Sequence, residues 1–366
     1  MSDEFMSEIR YVPHPGEYIK DAIEELGITQ NEFAIRIGTT GKTISKIING
    51  EANITFDIAA KLSAFFGTST NLWLNLQNSY NQYLKDLEQE KDEYEEIKIL
   101  AYFDKEYLKN ILDIEVTRNN KKEVISKLKQ LIMVNSLTCL RAPDLFAFCR
   151  TSILKDISEK QLVLRNAWIS LAMYYSRSIE CNSYEEKKLF DALPKIKKLM
   201  FKNPDEFIPL LKEYLKEAGI KFIVLPYLKG SNVSTVTKWS PYDSTIMIAI
   251  NDHGKDADKI WFNIFHELGH AVKNKKRHLT ISYEKDKIVD DDEIFANNFA
   301  RDFLINPKEY KKFISKNDLS IDSMESFAKT QDIPLFILIG RLQSDGYLKW
   351  NEFALYKVKY EMSFKY

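Results

Sequence analysis

The sequence is poor in cysteine and has no long apolar run, and these absences narrow the classes of protein to which it can belong. Three cysteines occur among 366 residues (Cys139, Cys149 and Cys181), and none forms a C-x-x-C pair. An odd number without that spacing argues against a disulfide framework and against a thiolate metal site. No segment approaches the roughly 20 consecutive apolar residues of a membrane-spanning helix. The first ten residues also lack the basic start and apolar run of a signal peptide, so we expect a cytoplasmic protein with no membrane partner.

The sequence also lacks an excess of charge of either sign. Its 52 lysines and arginines nearly balance its 53 aspartates and glutamates, which gives a net charge of −1. No global field therefore indicates a nucleic-acid partner. With 45% hydrophobic and 29% charged residues, the composition is that of an ordinary globular protein. The length corresponds to about two domains by the usual prior.

The segment from residue 15 to residue 83 has the pattern of several short helices. Thr29 is placed to cap one helix, with Glu32 three residues later completing a capping box. Gly38 makes a tight turn, and a second helix begins just after it. The apolar positions of these two helices follow helical spacing and would face a common core: Phe33, Ala34, Ile37, Ile44, Ile47 and Ile48. Two short helices joined by a glycine turn predict a helix-turn-helix.

The outward side of the second helix carries short hydroxyls and cations, which suit contacts with base edges and phosphates in a major groove. Gln30, at the start of the preceding helix, would fix the register on the phosphate backbone. The candidate DNA-contacting residues are Gln30, Thr40, Lys42, Thr43 and Lys46. The alternative is a helical bundle with a plain polar face. The acidic balance of residues 1–90 favours that alternative, whereas residues 29–50 carry three cations against one acid.

Many residues of this segment match one family pattern, over about 70 positions. The matches are His14-Pro15-Gly16, Thr29-Gln30 with Phe33-Ala34, Ile44-Ser45 with Ile47-Ile48 and Gly50, Ile54-Thr55, Ala59-Ala60, Gly67-Thr68-Ser69, Trp73, Leu76, Gln77 and Tyr80. In these residues the segment resembles the XRE-type helix-turn-helix of HigA-family antidotes. The resemblance implies a homodimer that binds operator DNA, with a cognate toxin or repressor protein as partner or substrate. A helix-turn-helix used only for protein contact is the alternative.

Residues 84–204 have the pattern of a helical middle region without a catalytic constellation. The segment from Leu84 to Leu100 is rich in acids but keeps apolar residues at helical spacing, which predicts a solvated linking helix. Apolar spacings of three and four residues predict further helices from Ile111 onward, over Val124–Val134 and over Gln161–Tyr175.

After Gly219 the apolar period changes to two, which is typical of strands. The β-rich segments Lys221–Leu225, Val233–Trp239 and Thr245–Ile250 predict a small sheet. Such a sheet ahead of a metal-binding helix is a platform on which an extended substrate can add to an edge strand.

The sequence Phe265-His266-Glu267-Leu268-Gly269-His270 carries the clearest chemistry. On a helix, His266 and His270 stand one turn apart on the same face and can bind one metal ion through their imidazole nitrogens. Glu267 lies beside that face, where it can accept a proton from a water molecule on the metal. The alternative is a pair of surface histidines that flank an acid.

A catalytic zinc ion needs a third protein ligand and an open fourth position. The metzincin arrangement is excluded, because lysines occupy positions 273 and 276. Glu293 is the better candidate, on a second predicted helix where Asn297 follows it by four residues and would orient a ligand histidine. Several other residues remain open as ligands: Asp290, Asp291 and Asp292, which suit capping of that helix, and His253 and His278, which suit the surface.

FHELGH followed by E-x-x-A-N-x-F-A is similar to the ImmA/IrrE family of zinc metallopeptidases, over about 160 residues. The resemblance implies Zn²⁺ as cofactor, with His266, His270 and Glu293 as ligands and Glu267 as the general base. The sequence departs from the family at Phe295, where a second glutamate is common. We take that glutamate to be non-ligating.

The patterns together predict three parts. Residues 1–83 would form a mainly α helix-turn-helix domain, residues 84–204 a helical middle region, and residues 205–366 an α+β zincin-like domain with a small β-sheet. We expect a DNA-binding transcription regulator of antitoxin type that also carries a zinc-dependent endopeptidase. The alternative is a repressor whose zinc domain is a non-catalytic sensor or protein-binding module.

Overall fold

A computed structural model describes residues 11–146, 157–253, 255–273, 280–283 and 291–361. The chain forms two compact units, Met1–Glu95 and Glu96–Tyr366. Cys139 and Cys181 are free thiols, and Cys149 lies outside the described residues. None of the described helices is both long and apolar enough to cross a membrane.

The first unit is helical and packs around one apolar core. Its described helices are α1 (Pro15–Glu25), α2 (Gln30–Arg36), α3 (Gly41–Ile48), α4 (Phe56–Phe66) and α5 (Thr70–Leu100). Ile19, Phe33, Ile44 and Leu62 are fully buried at its centre. The apolar positions predicted for the two short helices therefore do meet, as amphipathic helices of this length require.

Capping side chains set where α2 and α3 begin. The Thr29 hydroxyl accepts a hydrogen bond from the Glu32 backbone N–H at 3.1 Å, and Thr40 accepts one from the Thr43 N–H at 3.2 Å. The Glu32 carboxylate pairs with Arg36, four residues on, in place of the reciprocal capping-box bond. Between the helices, Gly38 adopts a φ of +71°, which glycine reaches without steric cost.

The second unit combines helices from the middle of the chain with a sheet and the C-terminal helices. The last turn of α5 leads into it. Its further helices are α6 (Lys105–Leu112), α7 (Lys121–Ile132), α8 (Glu159–Arg177), α9 (Glu186–Lys198), α10 (Pro204–Glu217), α11 (Ala257–Lys273), α12 (Asp291–Leu304), α13 (Pro307–Ser315), α14 (Ile321–Thr330) and α15 (Leu335–Ser344).

Two details of the middle region differ from the sequence interpretation. The helix predicted from Ile111 onward ends at Leu112, because Asp113 takes a left-handed backbone conformation. The helix predicted to be solvated up to Leu100 is buried at its end. Glu96 is 3% exposed there, and it accepts hydrogen bonds from the Leu137 N–H and from the Lys129 ammonium.

The sheet has four described strands in the order β1 (Ile220–Leu225), β3 (Thr245–Asn251), β2 (Val233–Ser240) and β4 (Thr280–Tyr283). β1 runs parallel to β3, and β2 runs antiparallel to both β3 and β4. The three predicted strands are present, and β4 is an addition that the sequence did not indicate. It makes β2 an inner strand of the sheet.

The two faces of the sheet belong to different cores. Phe222 and Ile248 pack with α10 and α11, whereas Ala249 and Val236 pack with Trp168 of α8 and other middle helices. The middle region therefore shares a core with the sheet. The domain boundary predicted at residue 204 falls between α9 and α10, which pack in one core. The division into residues 1–83, 84–204 and 205–366 stays a prediction.

The β2 strand carries an irregularity next to α11. Val233 pairs with Tyr283 and Thr235 pairs with Ser282, so Ser234 is one extra residue opposite β4. Val233 and Val236 both belong to the core on the α8 side, while Thr235 shares the other face with its cross-strand partner Ile250. A bulge of this kind turns two consecutive side chains toward the same face.

The predicted fold class is confirmed. The helices of the first unit include the helix-turn-helix, the middle region is helical where the structure describes it, and a small mixed sheet with helices follows. α11 and α12 cross closely at Gly269. A Cβ atom at that position would lie only 2.9 Å from the Cα atom of Ala296.

Candidate metal centre and helix-turn-helix surface

The two histidines of the H-E-x-x-H sequence meet on one face of α11. Their Nε2 atoms are 3.1 Å apart, and both side chains are buried. The helix period explains the arrangement, since residues four apart lie one above the other on the same face.

Glu293 reaches this pair from the first turn of α12. One of its carboxylate oxygens lies 3.3 Å from the His266 Nε2 atom, and the other lies 3.3 Å from the His270 Nε2 atom. Zinc–ligand bonds of about 2.0–2.1 Å in tetrahedral array would place neighbouring ligand atoms about 3.3 Å apart. The observed separations of 3.1 and 3.3 Å are close to this value, with a different Glu293 oxygen facing each histidine. Two imidazoles and a carboxylate are also a donor set that zinc accepts.

Asn297 contacts the outer ring nitrogen of one histidine. Its Oδ1 atom lies 3.1 Å from the His266 Nδ1 atom. When the amide oxygen accepts the Nδ1 proton, the lone pair of Nε2 is left free to bind a metal ion. The Nδ1 atom of His270 has no hydrogen-bond partner among the described residues.

The charges of the cluster favour a cation at its centre. Burial lowers the pKa of His266, but the hydrogen bond with Glu293 and the charge of Glu267 outweigh burial and raise that pKa above its ordinary value. Burial likewise raises the pKa of Glu293, whereas hydrogen bonds from His266 and His270 hold it well below the usual range. An environment that stabilises a proton on an imidazole nitrogen also stabilises a metal cation at the same place.

Glu267 points away from the histidine face, toward the sheet. It is fully buried, and its two carboxylate oxygens accept hydrogen bonds from the hydroxyls of Thr235 and Thr237. Its Oε1 atom still lies 4.0 Å from the His266 Nε2 atom. His266, Glu267 and His270 thus form one compact group of potential metal ligands.

The sequence interpretation missed both threonines. They stand 30 and 32 residues before Glu267, so nothing in the local spacing connects them to it. The available signal was their alternation on the predicted strand over residues 233–239, which places two hydroxyls on one face.

The other candidate ligands lie elsewhere. An Asp292 oxygen is 3.1 Å from the Lys273 ammonium, which also donates to the Asp291 backbone carbonyl at the start of α12. His253 is exposed and packs beside Tyr227, with ring centroids 4.0 Å apart. Asp290 and His278 lie outside the described residues. At the position where a second glutamate is common in the family, the ring of Phe295 contacts the Lys273 ammonium.

The predicted DNA-contacting residues lie at the start of α2 and along α3 with its N-cap. Gln30 is the exposed first residue of α2, and Lys42 and Lys46 are exposed one turn apart on α3. No described acid forms an ion pair with either lysine. Thr40 caps α3, and its hydroxyl lies 2.9 Å from that of Thr43, so these two side chains are partly engaged within the helix.

Comparison with known proteins assigns both parts of the chain. The family described as helix-turn-helix matches residues 19–73. An uncharacterized helix-turn-helix-type transcriptional regulator, YddM of Escherichia coli, is 38% identical over 69 residues, which are 19% of this chain and 73% of that protein. The chain belongs to the helix-turn-helix-type transcriptional regulators. The second family, described as the IrrE N-terminal-like domain, matches residues 215–330 of this regulator.

Two further relatives match a similar share of the regulator. Antitoxin HigA-1 of Vibrio cholerae is 37% identical over 65 residues, which are 18% of this chain and 61% of that antitoxin. This chain thus spans less than two thirds of HigA-1. Among solved structures, an addiction module antidote protein of a HigA family from Coxiella burnetii is 31% identical. That match covers 22% of this chain and 90% of the other, with a TM-score of 0.22.

The contact between Asn297 and His266 leads to a prediction about metal affinity. Asn297→Ala removes the acceptor of the Nδ1 proton, so His266 loses its fixed tautomer and orientation. We expect zinc affinity to fall about 10- to 100-fold. The neighbouring Asn298→Ala is the matched control, because that side chain is exposed. Competition with a fluorescent chelator measures both constants, and equal affinities in the two variants would contradict this function of Asn297.

Proposed function

We propose that the regulator binds operator DNA through α3 and hydrolyses peptide bonds with a zinc ion held by its C-terminal domain. The first part is supported by the exposure of Lys42 and Lys46 on α3, where they are available for phosphates and base edges. It is also supported by the relationship to HigA-1, which is an antitoxin.

The proposed DNA complex is that of a homodimer on a palindrome. Helix-turn-helix dimers place their recognition helices about one helical turn, roughly 34 Å, apart. Gln30, at the start of α2, would contact the phosphate backbone, and α3 would enter the major groove. A cognate toxin is the proposed protein partner of this antitoxin-type regulator.

Lys46→Ala tests the DNA-binding surface. We expect weaker operator binding and a salt slope of log K reduced by about one unit, because one phosphate contact is lost. Lys85→Ala is the control, since it removes an exposed cation from α5. Fluorescence anisotropy on the regulator's own promoter fragment, at several salt concentrations, gives both values. An unchanged slope for Lys46→Ala, or the same change for Lys85→Ala, would contradict the assignment.

The second part of the proposal depends on one observation, the convergence of three donors with Glu267 beside them. His266, His270 and Glu293 would hold the ion, and Asn297 would keep His266 in the ligating tautomer. A bound zinc ion would polarise a peptide carbonyl and make a water molecule more acidic.

The chain's own residues provide the proton transfer. Glu267 would take a proton from the attacking water and deliver it to the amine that leaves when the C–N bond breaks. The hydroxyls of Thr235 and Thr237 hold the carboxylate in place, and each of its oxygens retains capacity for a further hydrogen bond. A cognate toxin or repressor protein is the proposed substrate.

A second function is favoured by the burial of Glu267, which is 0% exposed. A carboxylate that is buried from solvent has no direct access to a water molecule in bulk solvent. Its burial suits a domain that holds zinc as a sensor or protein-binding module. In that case Glu267 would join α11 to the sheet without moving protons.

Glu267→Gln separates the two functions. The amide keeps the shape of the side chain but cannot act as a base, and general-base catalysis contributes roughly 10²- to 10⁴-fold in rate. We expect this variant to retain zinc and operator binding while cleavage of a fluorogenic peptide library, and any cleavage of the chain itself, is lost. Glu325→Gln, at an exposed carboxylate of α14, is the control that should cleave normally.

Cleavage by Glu267→Gln at the wild-type rate would exclude Glu267 as the base. Absence of cleavage by the wild type, with zinc and operator bound, would favour the sensor function.

A further inference from the structure

A cavity of about 500 Å³ lies beside the candidate metal centre, within the second unit. It is bounded by the N-terminal half of α11, the C-terminal end of α12, and α15. Phe262, Leu304, Ile337 and Trp350 provide its apolar lining. The cavity is large enough for one or two amino-acid side chains, and it plays no part in metal binding.

The cavity and the centre share helix α12. Glu293, Asn297 and Arg301 follow one another at intervals of four residues, so they lie along one face of this helix. Glu293 contacts both histidines, Asn297 contacts His266, and Arg301 lines the cavity. At 1.5 Å per residue, Arg301 lies about 12 Å along the axis from Glu293.

Helix α11 and strand β2 also contribute residues to both the cavity and the centre. Phe262 precedes His266 by one turn of α11, and their ring centroids are 6.1 Å apart. The β2 bulge adds Ser234, which lines the cavity, directly before Thr235, which binds Glu267. The cavity and the centre are therefore neighbours along α11 and β2.

Two arginines give the cavity its chemistry. Arg301 and Arg341 both contact the carboxylate of Asp345, at 3.4 Å and 2.6 Å, and Tyr310 donates a third hydrogen bond to it. One carboxylate thus faces two guanidinium groups. Arg341 is also held over the Tyr310 ring, at 4.6 Å from its centroid.

The remaining charges do not cancel this excess. Lys259 pairs with Asp256 and Asp258 pairs with Lys357. Among the described residues that line the cavity and their ion-pair partners, four cations therefore stand against three carboxylates. Guanidinium groups with free N–H donors bind carboxylates in bidentate geometry.

We propose that this cavity binds a carboxylate of the peptide substrate, three or four residues from the bond to be cleaved. An extended chain advances about 3.3 Å per residue, so three or four residues span the 12 Å between Glu293 and Arg301. The proposal rests on the proposed peptidase function and names its substrate class. The carboxylate comes either from an aspartate or glutamate side chain or from a free C-terminus.

Peptide binding to the full-length Glu267→Gln protein tests the proposal without turnover. Three fluorescent decapeptides of one alanine–serine background serve as probes. The first carries one glutamate and an amidated C-terminus, the second replaces that glutamate by glutamine, and the third is the glutamine peptide with a free C-terminus. Anisotropy titrations are run with and without zinc.

We expect the glutamate peptide to bind about tenfold tighter than the amidated glutamine peptide, the effect of one charged hydrogen bond. Tighter binding of the free C-terminus instead supports the same carboxylate site and identifies the terminus as its ligand. Arg301→Gln and Arg341→Gln should remove the preference, and Arg301→Glu should reverse it toward a matched lysine peptide. Lys308→Gln, which removes an exposed cation from α13, should keep it.

Arg301→Lys is the control for misfolding of Arg301→Gln. It retains the charge, so it should retain more of the preference for the glutamate peptide than Arg301→Gln does. Equal binding of all three peptides, or a preference that survives both glutamine variants, would overturn the proposal. Cleavage by the wild-type protein without a preference for acidic peptides would overturn it while leaving the peptidase intact. Acid-selective binding without any cleavage would support the cavity and count against the peptidase alone.

Discussion

The close crossing of α11 and α12 is the contact on which the candidate centre depends. Gly269 lets the two helices approach until a Cβ atom at that position would lie 2.9 Å from Ala296 Cα. At this distance Glu293 can reach both histidines of α11, and Asn297 can reach the outer nitrogen of His266. A wider crossing would move the Glu293 carboxylate of α12 out of reach of the two histidines of α11. Farther along α12, Arg301 lines the neighbouring cavity.

The sheet supplies what the two helices cannot. Thr235 and Thr237 of β2 hold Glu267 from the side opposite to the ligands. β2 is itself fixed by pairing on both edges and by Val236, which packs into the core on the α8 side. The middle helices therefore contribute to the position of Glu267 although they carry no residue of the centre.

Features that depend on residues close together in the chain could be predicted from the sequence. Features that depend on contacts between distant segments could not. Thr29 capping α2 and the histidine pair follow from spacing along one helix. The proximity of Glu293 to these histidines follows from no spacing along one helix, and the sequence predicts it only through the family resemblance. The hydroxyls of Thr235 and Thr237, the bulge at Ser234, and the pairing of Arg301 with Asp345 depend on segments far apart in the chain, so no local pattern reports them. The buried end of α5 was missed for the same reason, because Glu96 gains its partners only from Lys129 and Leu137.

The central claim is that His266, His270 and Glu293 form one zinc site, and elemental analysis of the purified full-length protein tests it most directly. The account predicts about one zinc ion per chain. His266→Ala should lose that ion, while its circular dichroism spectrum should show that the helices stay folded. His253→Ala, at an exposed histidine beside Tyr227, should retain it. Stoichiometric zinc in His266→Ala, or a wild-type protein that takes up no zinc from a zinc-containing buffer, would contradict the account.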